Sequence, residues 1–166
     1  LIKLYLEPGN HNNIIFKIGR PYEFIGLSTL TGEKVYTFST VALTNIKILM
    51  FEKNDLKQMI KKNGKFALWV IESLCKRKHE ILSQLACREK VSGDQRLAMT
   101  LLYIDELQKN PEYHDFSVSR KEMAEIAGIS QPKLNKSLRK FRDKNWVKSQ
   151  GNSIQIINYK EFLDYG

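Results

Sequence analysis

The sequence has few residues of several kinds, and each shortage narrows the class of protein. Its 166 residues include two cysteines, Cys75 and Cys87, with no other ligand cluster beside them. This usage favours free thiols in a reducing, cytoplasmic setting over a disulfide framework. No run of eighteen apolar residues occurs, so no membrane span is predicted.

Signals for targeting and catalysis are also missing. No signal peptide pattern opens the chain. Because the first residue is Leu1 rather than Met, and lies in a predicted strand, we expect an N-terminal portion to precede it. No catalytic triad, carboxylate pair, glycine-rich phosphate loop or metal-ligand spacing is present, so an enzyme is not predicted. His11, His79 and His114 are scattered and predict neither a haem nor a metal site.

Acidic residues are scarce relative to basic ones. The chain has 27 Lys and Arg against 18 Asp and Glu, a net charge of +9. Such an excess indicates a polyanionic partner, such as nucleic acid or an anionic membrane surface, or else serves solubility. Seven basic residues lie between Gln131 and Lys148, against one acid, Asp143. This clustering favours a binding face over diffuse solubility charge.

The first fifty residues are predicted to be mostly β. Apolar stretches at residues 2–6 and 13–18, separated by turn residues, predict a hairpin. Residues 27–33 predict a loop or short helical turn. Residues 35–43 and 46–51 predict a second antiparallel pair, so this part is expected to belong to a barrel or sandwich.

A long helix is predicted from about residue 65 to 89, after a short helix that ends near Ile60. It contains neither proline nor internal glycine, and its length of about 35–40 Å exceeds a small domain. Its apolar face predicts a dimer seam, although Lys78 argues against a continuous zipper, and packing on its own domain is the alternative. The seam comprises Ala67, Ile71, Leu74, Lys78, Ile81 and Leu85.

The C-terminal part predicts a winged helix. A capping box at Ser92 begins a helix over residues 94–108. Residues 119–141 then predict two short helices joined by a turn at Gly128, with Ser130 as the N-cap of the second. The apolar face of that second helix comprises Leu134, Leu138 and Phe141. A hairpin over residues 146–157 and a last short helix over residues 159–165 complete this part.

This order of parts resembles the CRP/FNR family of bacterial transcription regulators over nearly the whole chain. The likeness is carried by Val91-Ser-Gly-Asp-Gln-Arg-Leu-Ala, by residues 119–141, and by Asn145-Trp-Val with the hairpin that follows. Phe24-Ile-Gly26 and residues 36–51 resemble the second half of the family's barrel.

The resemblance implies an α+β fold with three parts. These are a partial cyclic-nucleotide-binding-like β-barrel that senses an effector (residues 1–60), a dimerisation helix and hinge (residues 61–92), and a winged helix-turn-helix (residues 93–166). It implies a dimeric, sequence-specific regulator that binds double-stranded DNA at a near-palindromic operator, contacts RNA polymerase and responds to an unknown small molecule. The alternative is a ligand-sensing barrel whose winged helix mediates protein–protein contact.

The candidate site residues follow from their chemistry and position. Amide and lysine side chains can read base edges, whereas other polar groups would bind phosphates. The base-reading candidates are Gln131, Lys133, Asn135 and Lys136. The phosphate candidates are Ser119, Lys121, Arg139, Lys140, Asn152 and Ser153. The chain departs from many family members at Pro132, where they have Glu, at Lys136, where they have Arg, and at Ser137, where they have an apolar residue.

The effector site departs from the family's cyclic-nucleotide binders. Those binders carry a Glu and an Arg-Ser pair at the positions where this chain has Leu27 and Tyr36-Thr37. A buried phosphate without arginine lacks its bidentate partner, so a cyclic nucleotide is not expected and the cofactor is unknown. Cys75 and Cys87 lack the spacing for an iron–sulfur cluster.

Overall fold

The structure is a computed structural model that combines helices with two small antiparallel sheets. The residues that it describes are 1–9, 13–32, 34–113, 116–150 and 153–165. This mixed α+β architecture agrees with the predicted fold class.

The N-terminal sheet has β1 (Ile2–Leu6) at its centre, between β2 (Ile14–Gly19) and β3 (Ser39–Ala42). Both neighbours run antiparallel to β1, with Ile2 opposite Gly19 on one side and Ala42 on the other. The predicted hairpin is therefore confirmed, and a short 3₁₀ turn at Leu27–Thr31 follows it.

The predicted pairing of residues 35–43 with residues 46–51 is wrong. β3 begins at Ser39 and pairs with β1, while residues 46–51 join none of the described strands. Leu49 is 84% exposed. The apolar run of residues 46–51 has strand-like composition, but composition does not identify a hydrogen-bonding neighbour, and β1 already occupies one edge of β3.

Two helices follow the sheet, α1 (Lys53–Lys62) and α2 (Gly64–Lys90). Between them, the side-chain oxygen of Asn63 accepts a hydrogen bond of 3.0 Å from the backbone N–H of Phe66. This bond satisfies one of the free N–H groups of the first turn and starts α2. The long predicted helix is confirmed.

The helix-turn-helix elements come next, and they are α3 (Gly93–Gln108), α4 (Arg120–Ala127) and α5 (Gln131–Asp143). The Ser92 capping box is present, because its side chain accepts from the backbone of Gln95 while the Gln95 side chain accepts from the backbone of Ser92. Each predicted helix is confirmed in type and position.

The chain ends with a hairpin of β4 (Val147–Gln150) and β5 (Ser153–Ile156), followed by α6 (Tyr159–Tyr165). Val147 and Ile156 lie opposite each other in the hairpin, and both are buried. The hairpin and α6 therefore pack against α3 and α5 and complete a winged helix.

One continuous apolar core includes residues of the N-terminal sheet and of the winged helix. Leu1, just before β1, and Ile18 of β2 join the same cluster as Leu97 and Met123. At its edge, the Lys3 Nζ atom forms an ion pair of 2.7 Å with Glu122 Oε1 of α4. The sheet therefore contacts the first helix of the helix-turn-helix pair directly.

Candidate nucleic-acid interface

α4 begins with a second capping box, formed by Ser119 and Glu122. The Ser119 hydroxyl accepts from the Glu122 backbone N–H, and the Glu122 carboxylate accepts from the Ser119 backbone N–H. Burial acts to raise the pKa of Glu122, but the hydrogen bonds from Lys3 and Ser119 outweigh it and lower the pKa. Ser119, a phosphate candidate, therefore also fixes the start of α4.

The turn between α4 and α5 depends on Gly128. This residue has φ 62° and ψ 40°, in the left-handed region where a side chain would be strained. The backbone N–H of Ile129 then bonds to the carbonyl of Ala124, which closes α4. The Ser130 hydroxyl accepts from the Lys133 backbone N–H and caps α5. The predicted turn chemistry is confirmed at both positions.

The inner face of α5 fixes its position in the domain. Leu134, Leu138 and Phe141 are buried, as predicted from their spacing. The Phe141 ring lies against three aromatic rings, those of Trp146, Phe162 and Tyr165, with centroid distances of 5.2 to 5.8 Å. α5 is therefore held along its length by its own domain.

The outer face of α5 is open and polar. Gln131, Asn135 and Lys136, three of the four base-reading candidates, are exposed there. The side-chain oxygen of Asn135 accepts a hydrogen bond of 3.3 Å from Arg120 of α4. Asn reads adenine with both its oxygen and its amino group, and the Asn135 oxygen has a second lone pair for such a contact.

Lys133, the fourth base-reading candidate, faces a different partner. Its ammonium group bonds to the Asp94 carboxylate in the first turn of α3. The same carboxylate accepts from the Ser137 hydroxyl at 2.6 Å and from Lys140 Nζ at 2.8 Å. Asp94 therefore connects three side chains of α5 to the start of α3 through hydrogen bonds.

Electrostatics keep this cluster charged. Burial acts to raise the pKa of Asp94, but the hydrogen bonds from Lys133, Lys140 and Ser137 outweigh it and hold the pKa well below its usual range. The hydrogen bonds of Lys140 to Asp94 and to the Tyr165 hydroxyl raise the pKa of Lys140. Asp94 is thus an ionised carboxylate facing two ammonium groups.

Sequence reasoning missed Asp94 because its partners lie 39, 43 and 46 residues further along the chain. Such a separation leaves no periodic pattern. The contact also explains why the buried position Ser137 carries a hydroxyl. That residue, only 1% exposed, donates to Asp94 and so is not an unpaired polar group in the core.

The described phosphate candidates lie at the start of α4, on α5 and at the start of β5. Lys121 and Arg139 are exposed, as is Ser153 at the start of β5, whereas Asn152 lies outside the described residues. Lys140 is half-exposed but bonded to Asp94 and Tyr165. Arg139 therefore presents exposed charge, and Lys121 does so while lying 4.0 Å from the Glu125 carboxylate.

The predicted dimer seam lies on the open side of α2. Ile71, Leu74 and Ile81 are 54%, 44% and 37% exposed, Lys78 is exposed, and Ala67 is half-buried. The Leu85 side chain lies outside what the structure describes. Two other residues, Val70 and Arg77, lie roughly a quarter turn around α2 from this seam. They face the chain's own small core, where Arg77 Nη2 donates to the Phe24 carbonyl at 2.7 Å.

The effector-site candidates occupy different environments. Leu27 is buried and packs in a small core with Leu56 and Val70. Tyr36 is 62% exposed, and its ring lies so close to Gly26 that a Cβ atom there would be 2.5 Å from Tyr36 Cε1. Thr37 is exposed. These residues therefore form no enclosed polar cleft among themselves.

The described ranges contain neither a metal-binding cluster nor a membrane-spanning helix. Within them, no group of three or more His, Cys, Asp or Glu residues could hold a metal ion. None of the helices in that part of the chain is long and apolar enough to cross a membrane.

Comparison with known proteins connects this geometry to a family. Residues 95–165 match the family model of the Crp-like helix-turn-helix domain. The comparison with curated protein sequences found no significant match.

Solved structures share the fold of the whole chain. TTHA1359, a CRP/FNR-family transcriptional regulator from Thermus thermophilus, is 18% identical with a TM-score of 0.77, covering 99% of this chain and 82% of its own. The CRP-family regulator TTHB099 from the same organism is 15% identical with a TM-score of 0.78, and FixK2 from Bradyrhizobium japonicum is 12% identical with a TM-score of 0.76. Both also cover 99% of this chain and 82% of their own.

The family match and the exposed basic face of α5 identify residues 95–165 as a Crp-like helix-turn-helix domain. Over its whole length the chain shares its fold with regulators of the CRP/FNR family, at 12–18% identity.

Proposed function

We propose that the protein is a dimeric, effector-responsive regulator that reads a near-palindromic operator with α5. The observation that carries the proposal is the outer face of α5, where exposed Gln131, Asn135 and Lys136 stand beside exposed Arg139. Amide and lysine groups match base edges in the major groove, and an adjacent arginine matches phosphate. The buried inner face of α5 fixes the direction in which these groups project.

The proposed division of roles follows exposure. Gln131, Asn135 and Lys136 read bases, while Lys121, Arg139 and Ser153 bind phosphates. Ser119 combines its capping role with a phosphate contact through the N-terminus of α4, where free N–H groups favour an anion. We include Asn152 in the wing as a phosphate contact on the basis of the sequence.

We propose that the protein forms a homodimer through α2, and a two-fold dimer is the reason to expect a near-palindromic operator. The seam residues Ile71, Leu74 and Ile81 remain exposed in the single chain, on a helix of about 40 Å. An exposed apolar stripe of this length favours a partner helix. Two α5 helices held this way would enter successive major grooves about 34 Å apart.

We further propose that the N-terminal sheet belongs to a cyclic-nucleotide-binding-like barrel that senses a small molecule. The sheet contacts the winged helix through Lys3 and Glu122, and Arg20 lies 5.9 Å above the Tyr103 ring. A rearrangement of the sheet would therefore reach α4 directly. The proposed parts are residues 1–60, 61–92 and 93–166. Mass spectrometry of small molecules that copurify with the protein would identify the effector's chemical class.

The remaining partners follow from this role. As a bacterial transcription regulator, the protein would work in the cytoplasm and contact RNA polymerase. The alternative, a winged helix used for protein–protein contact, explains the exposed base-reading groups less well. Selection from a random DNA library separates the two, because only a DNA reader enriches a sequence.

The salt dependence of DNA binding tests the proposal most directly. Each neutralised phosphate contributes about −0.9 to the slope of log affinity against log salt. With at least two phosphate contacts per protomer, four in the dimer, the wild-type protein is expected to show a slope of about −3.6 or steeper. Fluorescence anisotropy on a selected duplex at several salt concentrations measures it. A slope near zero would refute the DNA-reading role.

Lys136 and Arg139 provide a matched pair of variants on the same exposed helix face. Lys136→Ala is expected to lose about 1–3 kcal/mol of discrimination at one position in each half-site. Arg139→Ala is expected to weaken binding to all sequences equally and to lower the magnitude of the salt slope by about one unit per protomer. Anisotropy on single-substitution duplexes measures both. Equal losses on every sequence for Lys136→Ala would assign that residue to phosphate contact instead.

A further inference from the structure

The ion pairs around Asp94 engage two of the positive charges on α5 within the protein itself. Both carboxylate oxygens are occupied, Oδ1 by Lys133 and Ser137 and Oδ2 by Lys140. The two lysines belong to the seven basic residues between Gln131 and Lys148. Their ammonium groups bond to α3, while Lys136 and Arg139 lie exposed on α5.

The local structure is built for this contact. Asp94 lies in the first turn of α3, where the helix dipole favours a carboxylate, and its side chain is only 14% exposed. Gly93, beside it, leaves room for the Lys133 side chain, since a Cβ atom there would lie 3.0 Å from Lys133 Cε. The buried Ser137 hydroxyl adds a third hydrogen bond at 2.6 Å. The contact therefore rests on three residues of α5 and on the room beside Gly93.

We propose that Asp94 is a specificity-determining residue that holds Lys133 and Lys140 back from DNA phosphates. Phosphate contacts tighten binding to every sequence alike, whereas base contacts discriminate. By pairing two lysines within the protein, Asp94 lowers non-specific affinity and leaves discrimination to Gln131, Asn135 and Lys136. This inference rests on the proposed DNA-reading role of α5.

The pairing also changes the role of two candidates. Lys133 and Lys140, a predicted base reader and a predicted phosphate contact, become positioning residues that tie α5 to α3. Their stems still lie beside the outer face of α5, and the two side chains are 40% and 44% exposed respectively. Loss of Asp94 would therefore release two ammonium groups close to the DNA backbone.

The test is Asp94→Asn, which keeps the side-chain size but removes its charge. Compared with the wild-type protein, it is expected to bind a non-operator duplex roughly tenfold more tightly and to steepen the salt slope by about one to two units per protomer. The ratio of operator to non-operator affinity is expected to fall. Asp164→Asn, the same change at an exposed position of α6, is the charge-matched control and is expected to alter the slope by less than about one unit.

A second set of variants includes two, made in the wild-type background, that do not depend on how well Asp94→Asn folds. In the wild-type background, Lys133→Gln and Lys140→Gln are expected to leave the salt slope nearly unchanged. In the Asp94→Asn background, each is expected to remove about one unit per protomer of the gained slope. If either lysine variant of the wild-type protein lowers the slope as much as Arg139→Ala does, that lysine already contacts phosphate and the inference is wrong.

The outcomes separate the inference from the proposed function. A wild-type slope near zero would reject DNA reading itself. A normal wild-type slope, with Asp94→Asn weakening operator and non-operator duplexes in parallel, would give Asp94 a purely structural role and overturn the specificity inference alone. Unchanged slope and unchanged specificity in Asp94→Asn would overturn it as well.

Discussion

Replacing Ile71 and Leu74 together by aspartate is expected to convert the protein from a dimer to a monomer. Operator affinity is expected to fall by about 10²–10⁴-fold, because each half-site is then bound separately and the avidity of the linked pair is lost. The affinity of the double variant for a duplex with a single half-site is expected to stay close to that of the wild-type protein for the same duplex. Analytical ultracentrifugation and anisotropy on full and half operators measure these effects.

The physical reason lies in the exposure of the seam. Ile71 and Leu74 are half-exposed in the single chain, so aspartate there costs little in the folded monomer. In a helix pair, the same carboxylates would face each other across an apolar contact. Burying an unpaired charge costs several kcal/mol per group, so two buried carboxylates strongly disfavour the dimer.

A control on the same helix separates dimerisation from charge. Lys76→Asp places a carboxylate on α2 at an exposed position away from the seam, about half a turn from Lys78. It is expected to leave the protein dimeric. If the double variant at Ile71 and Leu74 remains a dimer with unchanged operator affinity, the seam is not the dimer interface and another surface must hold the two protomers.

Phe141→Ala is expected to lower the free energy of unfolding by about 3–5 kcal/mol. The Phe141 side chain is fully buried, and its ring contacts Trp146, Phe162 and Tyr165. Truncation leaves a cavity at the point where α5, the hairpin and α6 meet. DNA binding is expected to fall with the folded fraction, since α5 loses the support that aims its outer face.

Urea denaturation followed by circular dichroism measures this loss of stability. Leu163→Ala is the control, because Leu163 lies on α6 beside the same cluster but is 63% exposed, and its removal is expected to change the free energy by no more than about 0.5 kcal/mol. Equal effects of the two substitutions would show that the aromatic cluster does not hold α5.

The helices could be predicted because their signals are local. Ser92 and Ser130 begin helices through bonds that span three residues, and Gly128 ends one through its own backbone conformation. Leu134, Leu138 and Phe141 mark a buried face by helical spacing alone. Each of these signals lies within one or two turns of the element it defines, so no knowledge of the tertiary fold is needed.

The strand pairing could not be predicted with the same success. Residues 46–51 have the composition of a strand, but β3 pairs with β1, which lies more than thirty residues earlier. Strand propensity indicates that a segment is compatible with a sheet, but it does not indicate which neighbouring strand the segment pairs with. That choice depends on where the hairpin of β1 and β2 packs, which is a property of the whole chain.

The candidate site was likewise predictable only in part. Residue type and helical period place Gln131, Asn135 and Lys136 on an exposed face, as predicted. They do not show that Arg120 holds the Asn135 oxygen or that Asp94 holds Lys133. Long flexible side chains reach their partners across helices, and sequence spacing carries no record of these contacts.

Neighbouring residues and composition were enough to establish the order of the helices, their caps, the turn at Gly128 and the basic character of α5. The pairing of β3, the contact of Lys3 with Glu122, and the assignment of two α5 lysines to Asp94 required the packed fold. These contacts join residues far apart in the chain, and the distances between such residues are set when the sheet and the helices pack together.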